Sequence, residues 1–96
     1  MTERSLFPTG QIVATPAALQ LLAMHDIPPL DLLKRHVAGD FGSLPPADIE
    51  ANLHAIKSGL RVLSKYAVAV GNSWSDVYVI TEADRSSTCI LLVEEY

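Results

Sequence analysis

The spacing of hydrophobic and polar positions changes once along this chain, near Gly59. Before that point apolar residues recur at helical spacing. The stretch "PAALQLLAMH" places Ala18, Leu19, Leu22 and Ala23 on one face. "PLDLLKRHVA" carries Leu30, Leu33 and Val37 at i, i+3 and i+7, and a third helix from Pro46 lines up Ile49, Leu53 and Ile56. Proline and glycine punctuate these segments. Thr15-Pro16 offers a cap followed by a first helical proline, and Pro28-Pro29 separates the first two helices. Gly39 and Gly59 are placed to end the second and third helices in the left-handed conformation. Asp48 and Glu50 sit in the first turn of the third, where the helix dipole favours acids.

After Gly59 the period falls to two. In "RVLSKYAVAV", Val62, Tyr66, Val68 and Val70 alternate with Leu63, Lys65, Ala67 and Ala69. "GNS" at 71–73 reads as a turn, "WSDVYVIT" as a second strand and "STCILLV" as a third. Ahead of the helices, "GQIVAT" reads as a short strand. The predicted fold is α+β: a short N-terminal strand, three helices, then a three-stranded antiparallel meander with the helices packed on one face. The opening "MTERSLFP", residues 1–8, reads as an extended or mobile arm.

Length and composition bound this picture. Ninety-six residues predict a single domain spanning 1–96. An apolar content of 49% argues against disorder and leaves apolar surface to spare, for which a partner or a homodimer contact is one use. Net charge is −4, and the basic residues are scattered with no Lys/Arg run, which argues against direct nucleic-acid binding. Eleven acids offset by seven bases are too few to imitate a DNA phosphate ladder. Cys89, the single cysteine, reads as a small buried hydrophobe in a cytoplasmic protein without disulfides. No stretch reads as a signal peptide or a membrane span.

Candidate chemistry concentrates in two segments. In "TEADRS", Glu82 and Asp84 fall on one side of an extended chain, with Arg85 beside them. That arrangement suits an acid pair or a metal site. A polar hairpin tip explains it too, with Asp84 turning back on its own backbone and Arg85 paired to Glu82 or Asp84 at the surface. In "KRHVAGDF", Arg35, His36 and Asp40 surround a helix end. They suit a His–Asp acid–base pair, or cations placed against the helix dipole with Asp40 answering one of them. Phe41 and Trp74 read as interface aromatics or core caps. His25 and His54 have no metal-ligand spacing, and neither a nucleophile elbow nor a phosphate or dinucleotide loop is present, so no catalytic residue, metal or cofactor is assigned.

The stretches "GQIVATPAAL", "LLKRHVAGDFG" and "ITEADRSSTCILLVEEY" resemble a family of small "plasmid-related" proteins carried on plasmids and integrated mobile elements of proteobacteria. Some members go under the name type I restriction subunit M. The resemblance runs from Phe7 to Tyr96, with Arg35, His36, Gly39, Asp40, Glu82, Ala83, Asp84 and Arg85 matching. Cys89 stands where threonine is usual, and Val93 where proline is usual. A methyltransferase subunit needs a cofactor-binding α/β domain, typically more than about 100 residues, which this chain lacks. The resemblance implies instead an accessory protein of a mobile element that binds and blocks a host defence nuclease or CRISPR complex, an anti-CRISPR or anti-restriction inhibitor. In that reading the polar residues are a recognition surface. The competing readings are a small enzyme or metal site built from His36, Asp40, Glu82, Asp84 and Arg85, and a DNA-binding regulator.

Overall fold

A computed structural model describes residues 5–70 and 73–96, with β1 (Gln11–Ala14), α1 (Pro16–Met24), α2 (Pro29–Val37), α3 (Pro46–Ser58), β2 (Val62–Val70), β3 (Ser73–Thr81) and β4 (Ser87–Leu92) in chain order. A short 3-10 turn, Val93–Glu95, follows β4. The fold is α+β, three helices on a four-stranded mixed sheet of order β1-β4-β3-β2. The turn predicted at 71–73 and the side chain of Trp74 fall outside what is described.

The helix starts follow the prolines. Pro16, Pro29 and Pro46 each open a helix, and the Thr15 hydroxyl accepts the Ala18 amide at 3.2 Å. Gly39 ends α2 in the left-handed region: Asp40 N–H donates to the Arg35 carbonyl and Gly39 N–H to that of His36. Gly59 ends α3 in the same conformation.

The antiparallel part of the prediction is correct for β2, β3 and β4, which pair in sequence. The meander is incomplete as a description, because β1 is a fourth strand, parallel to β4 with Gln11 opposite Ser87 and Ala14 opposite Ile90. This return is what makes the sheet mixed. It brings the N-terminal end of the chain beside the last strand and lets α1 pack across β4.

One face of the sheet carries the core. Tyr66 and Val68 of β2, Val77 and Val79 of β3, and Ile90 of β4 meet Ala18 and Leu22 of α1 and Leu32 and Leu33 of α2, all buried. A second cluster joins Phe7, Phe41, Ala55 and Val62. Two alternatives are narrowed here. Phe7 is a core residue, so the segment from Ser5 is held rather than mobile, and Phe41 is 2% exposed, which makes it a core cap and not an exposed anchor. The buried helix faces also differ from the apolar stripes. Leu19, Leu30 and Leu53 are exposed, while His36 and Asn52 are buried. Each inward polar side chain is paired with the sheet, and those bonds set the rotation of α2 and α3.

The first half of the β2 edge is closed by two devices. The Asn52 amide donates to the Leu63 carbonyl at 2.6 Å and accepts the Leu63 N–H at 3.1 Å, like a strand of one residue. Beyond it, Lys65 N–H donates to the Phe41 carbonyl and Ser43 N–H to the Lys65 carbonyl. Gly42 lies between them at φ 78°, where a Cβ would collide with the Lys65 carbonyl, so only glycine lets this loop reach the strand. No helix among the described residues is long and apolar enough to cross a membrane.

Candidate functional site

The two polar segments singled out in the sequence meet through the core. His36, on the inner face of α2, is fully buried, with Nδ1 2.6 Å from the Ser64 hydroxyl of β2 and Nε2 2.9 Å from the Thr81 hydroxyl of β3. The Thr81 hydroxyl lies 2.6 Å from that of Thr88 on β4, and Thr88 donates to the Thr9 carbonyl at 2.8 Å. The direction of every proton follows from this last bond. A carbonyl only accepts, so Thr88 gives it its proton and accepts from Thr81. Thr81 then accepts from Nε2–H, and in the neutral ring Nδ1 accepts from Ser64. Burial keeps the imidazole neutral, and the neutral ring then carries its proton on Nε2. Burial pulls its pKa down from 6.5 to about 4.

This arrangement sets a serine hydroxyl against an imidazole, the pairing used by serine nucleophiles. It has no opening to a substrate. Ser64, Thr81 and Thr88 are as buried as His36, and the Phe7 ring covers the imidazole edge-on with centroids 5.1 Å apart. The chain of hydroxyls is a structural network linking α2, three strands and the N-terminal segment. The sequence reading placed His36 on a surface with Asp40, and this is corrected: the imidazole faces the sheet. A signal was available, because His36 lies three residues after Leu33, on the same helical face.

Asp40 answers Arg35 instead, at 2.7 Å from Nε and 3.4 Å from Nη2, and also accepts the Gly42 amide. The guanidinium stacks on the Tyr66 ring, 4.4 Å from its centroid, and the Tyr66 hydroxyl donates to the Asp40 carbonyl at 2.7 Å. Arg35 holds the Asp40 carboxyl below the usual carboxylate range, and burial pushes the Tyr66 phenol up to about 12. The group works as one unit that shapes the loop into Phe41–Ser43.

Arg85 is the second correction. It pairs with neither carboxylate. From φ 61°, its guanidinium donates to the carbonyls of Leu60 at 2.6 Å, Ala55 and Glu82 at 3.1 Å, and Ala83 at 3.3 Å. It fastens the β3–β4 hairpin to the C-terminal end of α3, where the helix dipole favours a cation. Asp84 accepts the Ser86 amide at 2.9 Å, the turn expected of it. Glu82 faces Arg61 across 3.9 Å, with both side chains about half exposed. The carboxylates are thus spread over the hairpin tip and the far helix end. No group of three or more His, Cys, Asp or Glu side chains able to hold a metal occurs among the described residues. Cys89 is half-buried on the opposite sheet face, and burial raises its thiol pKa.

What remains accessible near the hairpin is a different set. Leu60, Arg61, Glu82 and Tyr96 are exposed and contiguous. Arg61 donates to the Tyr96 hydroxyl at 2.5 Å, and the Tyr96 ring meets Tyr78 edge-on at 5.4 Å, crossing the open sheet face beside buried Ile80. Sequence reasoning passed over Arg61 and Tyr96, whose pairing spans 35 positions and has no local signature. No family model, no curated protein and no solved structure matches the chain.

Proposed function

We propose that the chain is a non-enzymatic protein-binding module, and that its partner is a host defence nuclease or CRISPR complex which it blocks on behalf of a mobile element. The observation that carries the binding part is how the polar side chains are used. His36 and Ser64 are sealed in the core, Arg85 is spent on backbone carbonyls, and Asp40 on Arg35. Neither the His36 imidazole nor the Ser64 hydroxyl is open to a substrate. Beside the hairpin, the surface offers Leu60, Arg61 and Tyr96, and arginine and tyrosine are enriched among residues that anchor protein interfaces. Glu82 and Asp84 rim this patch and supply charge that selects a partner. The class of target rests on the sequence resemblance alone.

The test is binding and inhibition together. Purified protein is mixed at physiological salt with restriction and CRISPR effector complexes from a plasmid-bearing proteobacterial host, and DNA cleavage is followed. The reading expects a stoichiometric complex and loss of cleavage, both weakened at least tenfold by a Tyr96→Ala, Arg61→Ala double variant. Cleavage unaffected at saturating protein, with no complex formed, overturns it. A salt-sensitive shift of naked DNA would favour a DNA-binding regulator instead.

A further inference from the structure

The two edges of the sheet differ where they begin. The first half of the β2 edge, at Leu63 and Lys65, is covered by the Asn52 amide and by the Phe41–Ser43 backbone. The β1 edge is bare among the described residues: β1 is the terminal strand of the order, and its residues Gln11, Ile12 and Val13 are all exposed. In a parallel ladder alternate residues bond to the neighbour. Gln11 and Thr15 donate to Ser86 and Ile90, so the odd-numbered residues face β4. The N–H and C=O of Ile12 and Ala14 therefore point away from the sheet.

Proteins blunt open edges with charges, prolines or bulges. The strand Gln-Ile-Val-Ala has none of these. Beside it runs a groove between the Ser5–Gly10 segment and α2, lined by Leu6, Ile12, Leu30, Leu33 and Val37, with Lys34 as its charged residue. Leu6, Ile12 and Leu30 are 43%, 49% and 56% exposed, so an unpaired edge and an apolar groove are continuous.

We propose that this surface is the contact of a symmetric dimer, in which the β1 strands of two copies pair antiparallel and join their sheets into one. A second copy suits the edge for three reasons. The first is registration. With Val13 opposite the partner's Val13, each copy's Ile12 meets the partner's Ala14, and each of these residues donates and accepts one bond. A twofold axis normal to the sheet keeps both helix layers on one side, so the two Ile12 side chains flank the seam between the two grooves. The second reason is charge. Two chains of net charge −4 repel, and neither β1 nor the groove lining includes an acidic residue, while Glu95, at the end of β1, accepts from the Thr15 hydroxyl. The third is area. A standard interface removes about 800 Å² from each partner, roughly one-seventh of the 5811 Å² this chain exposes. A strand of four residues falls short of that, and the adjoining Leu6 and Leu30 extend it.

The contact shares no residue with the Leu60–Arg61–Tyr96 patch, so its failure leaves the proposed target binding standing. The experiment is sedimentation equilibrium of the full chain over a micromolar concentration series. The wild type is expected at twice the monomer mass of 10.4 kDa. Ile12→Lys and Val13→Lys are expected at the monomer mass with unchanged circular dichroism, and Leu53→Lys, on the outer face of α3, at the dimer mass. A wild type that stays monomeric, or an Ile12→Lys protein that stays dimeric, overturns the proposal. Hydrogen exchange on the wild type decides the matter if the lysine variants fail to fold. The Ile12 and Ala14 amides are expected to gain protection as concentration rises, and exchange at the open-edge rate at every concentration refutes the pairing.

Discussion

Replacing His36 by glutamine tests the buried network through pH. In the unfolded chain a histidine takes up a proton below its ordinary pKa of 6.5, whereas the folded protein holds His36 neutral until about pH 4. Between those values the unfolded state binds more protons, so acid favours unfolding. The stability contributed by keeping this imidazole neutral is complete above pH 6.5 and is lost as pH falls towards 4. At about 1.4 kcal/mol per unit, the loss over the window is about 3 kcal/mol, a large share of the roughly 5–15 kcal/mol total of a small domain. Paired carboxylates such as Asp40 act lower, because their pKa values are depressed from ranges already near 4. Urea titrations at half-unit steps from pH 7.5 to 4.5, settings chosen as about the span of the two pKa values, read the slope directly. The Gln variant is expected to lose His36's share of that slope. At pH 7 it is expected to be about 1–3 kcal/mol less stable, since the Ser64 hydroxyl loses its acceptor. A wild-type stability that is flat from pH 6.5 to 5, or a slope unchanged in the variant, refutes a neutral buried imidazole. Nitrogen chemical shifts give a second reading, with the proton expected on Nε2.

Four further outcomes follow from the geometry. Arg85→Ala is expected to cost about 2 kcal/mol in urea unfolding, because charged hydrogen bonds to carbonyls are worth more than a surface pair, and a loss below about 0.5 kcal/mol excludes the clamp. Asn52→Ala removes both bonds to Leu63 and is expected to destabilise by about 1–3 kcal/mol, which thermal unfolding measures; no change in Tm counts against the edge-closing role. Gly42→Ala forces a Cβ against the Lys65 carbonyl at positive φ and is expected to cost more than about 2 kcal/mol, whereas wild-type stability in this variant rules out the close approach. Leu53→Ala is expected to stay within about 0.5 kcal/mol of wild type because Leu53 is 47% exposed, and a core-sized loss in denaturant titration contradicts that placement.

Element types and ends were legible because they are local. The prolines at 16, 29 and 46, the cap at Thr15 and the glycines at 39 and 59 act within a turn of where they stand. The period-two stretch gave β2 through β4 because alternation reports a sheet with one buried face. The partner of β1 was not legible. Ile12 and Thr88 lie far apart in sequence, and a parallel pair leaves no turn between its strands to read. Helix rotation was hidden for a different reason. Apolar spacing assigns Leu30 and Leu53 to the inside, yet burying a polar side chain is inexpensive when its bonds are met. Ser64 and Thr81 meet those of His36, and the Leu63 backbone meets those of Asn52. A hydrophobicity pattern counts His36 and Asn52 as outward residues and is misled at both.

The placement of the residues behind the family resemblance bears on where recognition happens. His36 is a core network member, Gly39 a helix end, and Arg35 with Asp40 a loop brace over Tyr66. Arg85 is a helix-to-hairpin clamp, and Asp84 holds its own turn. Each is explained by folding before any partner is invoked. Asp40, Asp84 and Arg85 bond to backbone and Arg35 and His36 to interior or bracing side chains, whereas Glu82 faces only Arg61, which lies outside the matched set. The polar signature therefore describes a scaffold: it keeps the hairpin on α3 and the imidazole under Phe7. A scaffold held this way can present different surfaces with the same interior. Under the proposed binding role, the residues that choose the partner are the accessible ones beside this scaffold, Leu60, Arg61 and Tyr96 around Glu82.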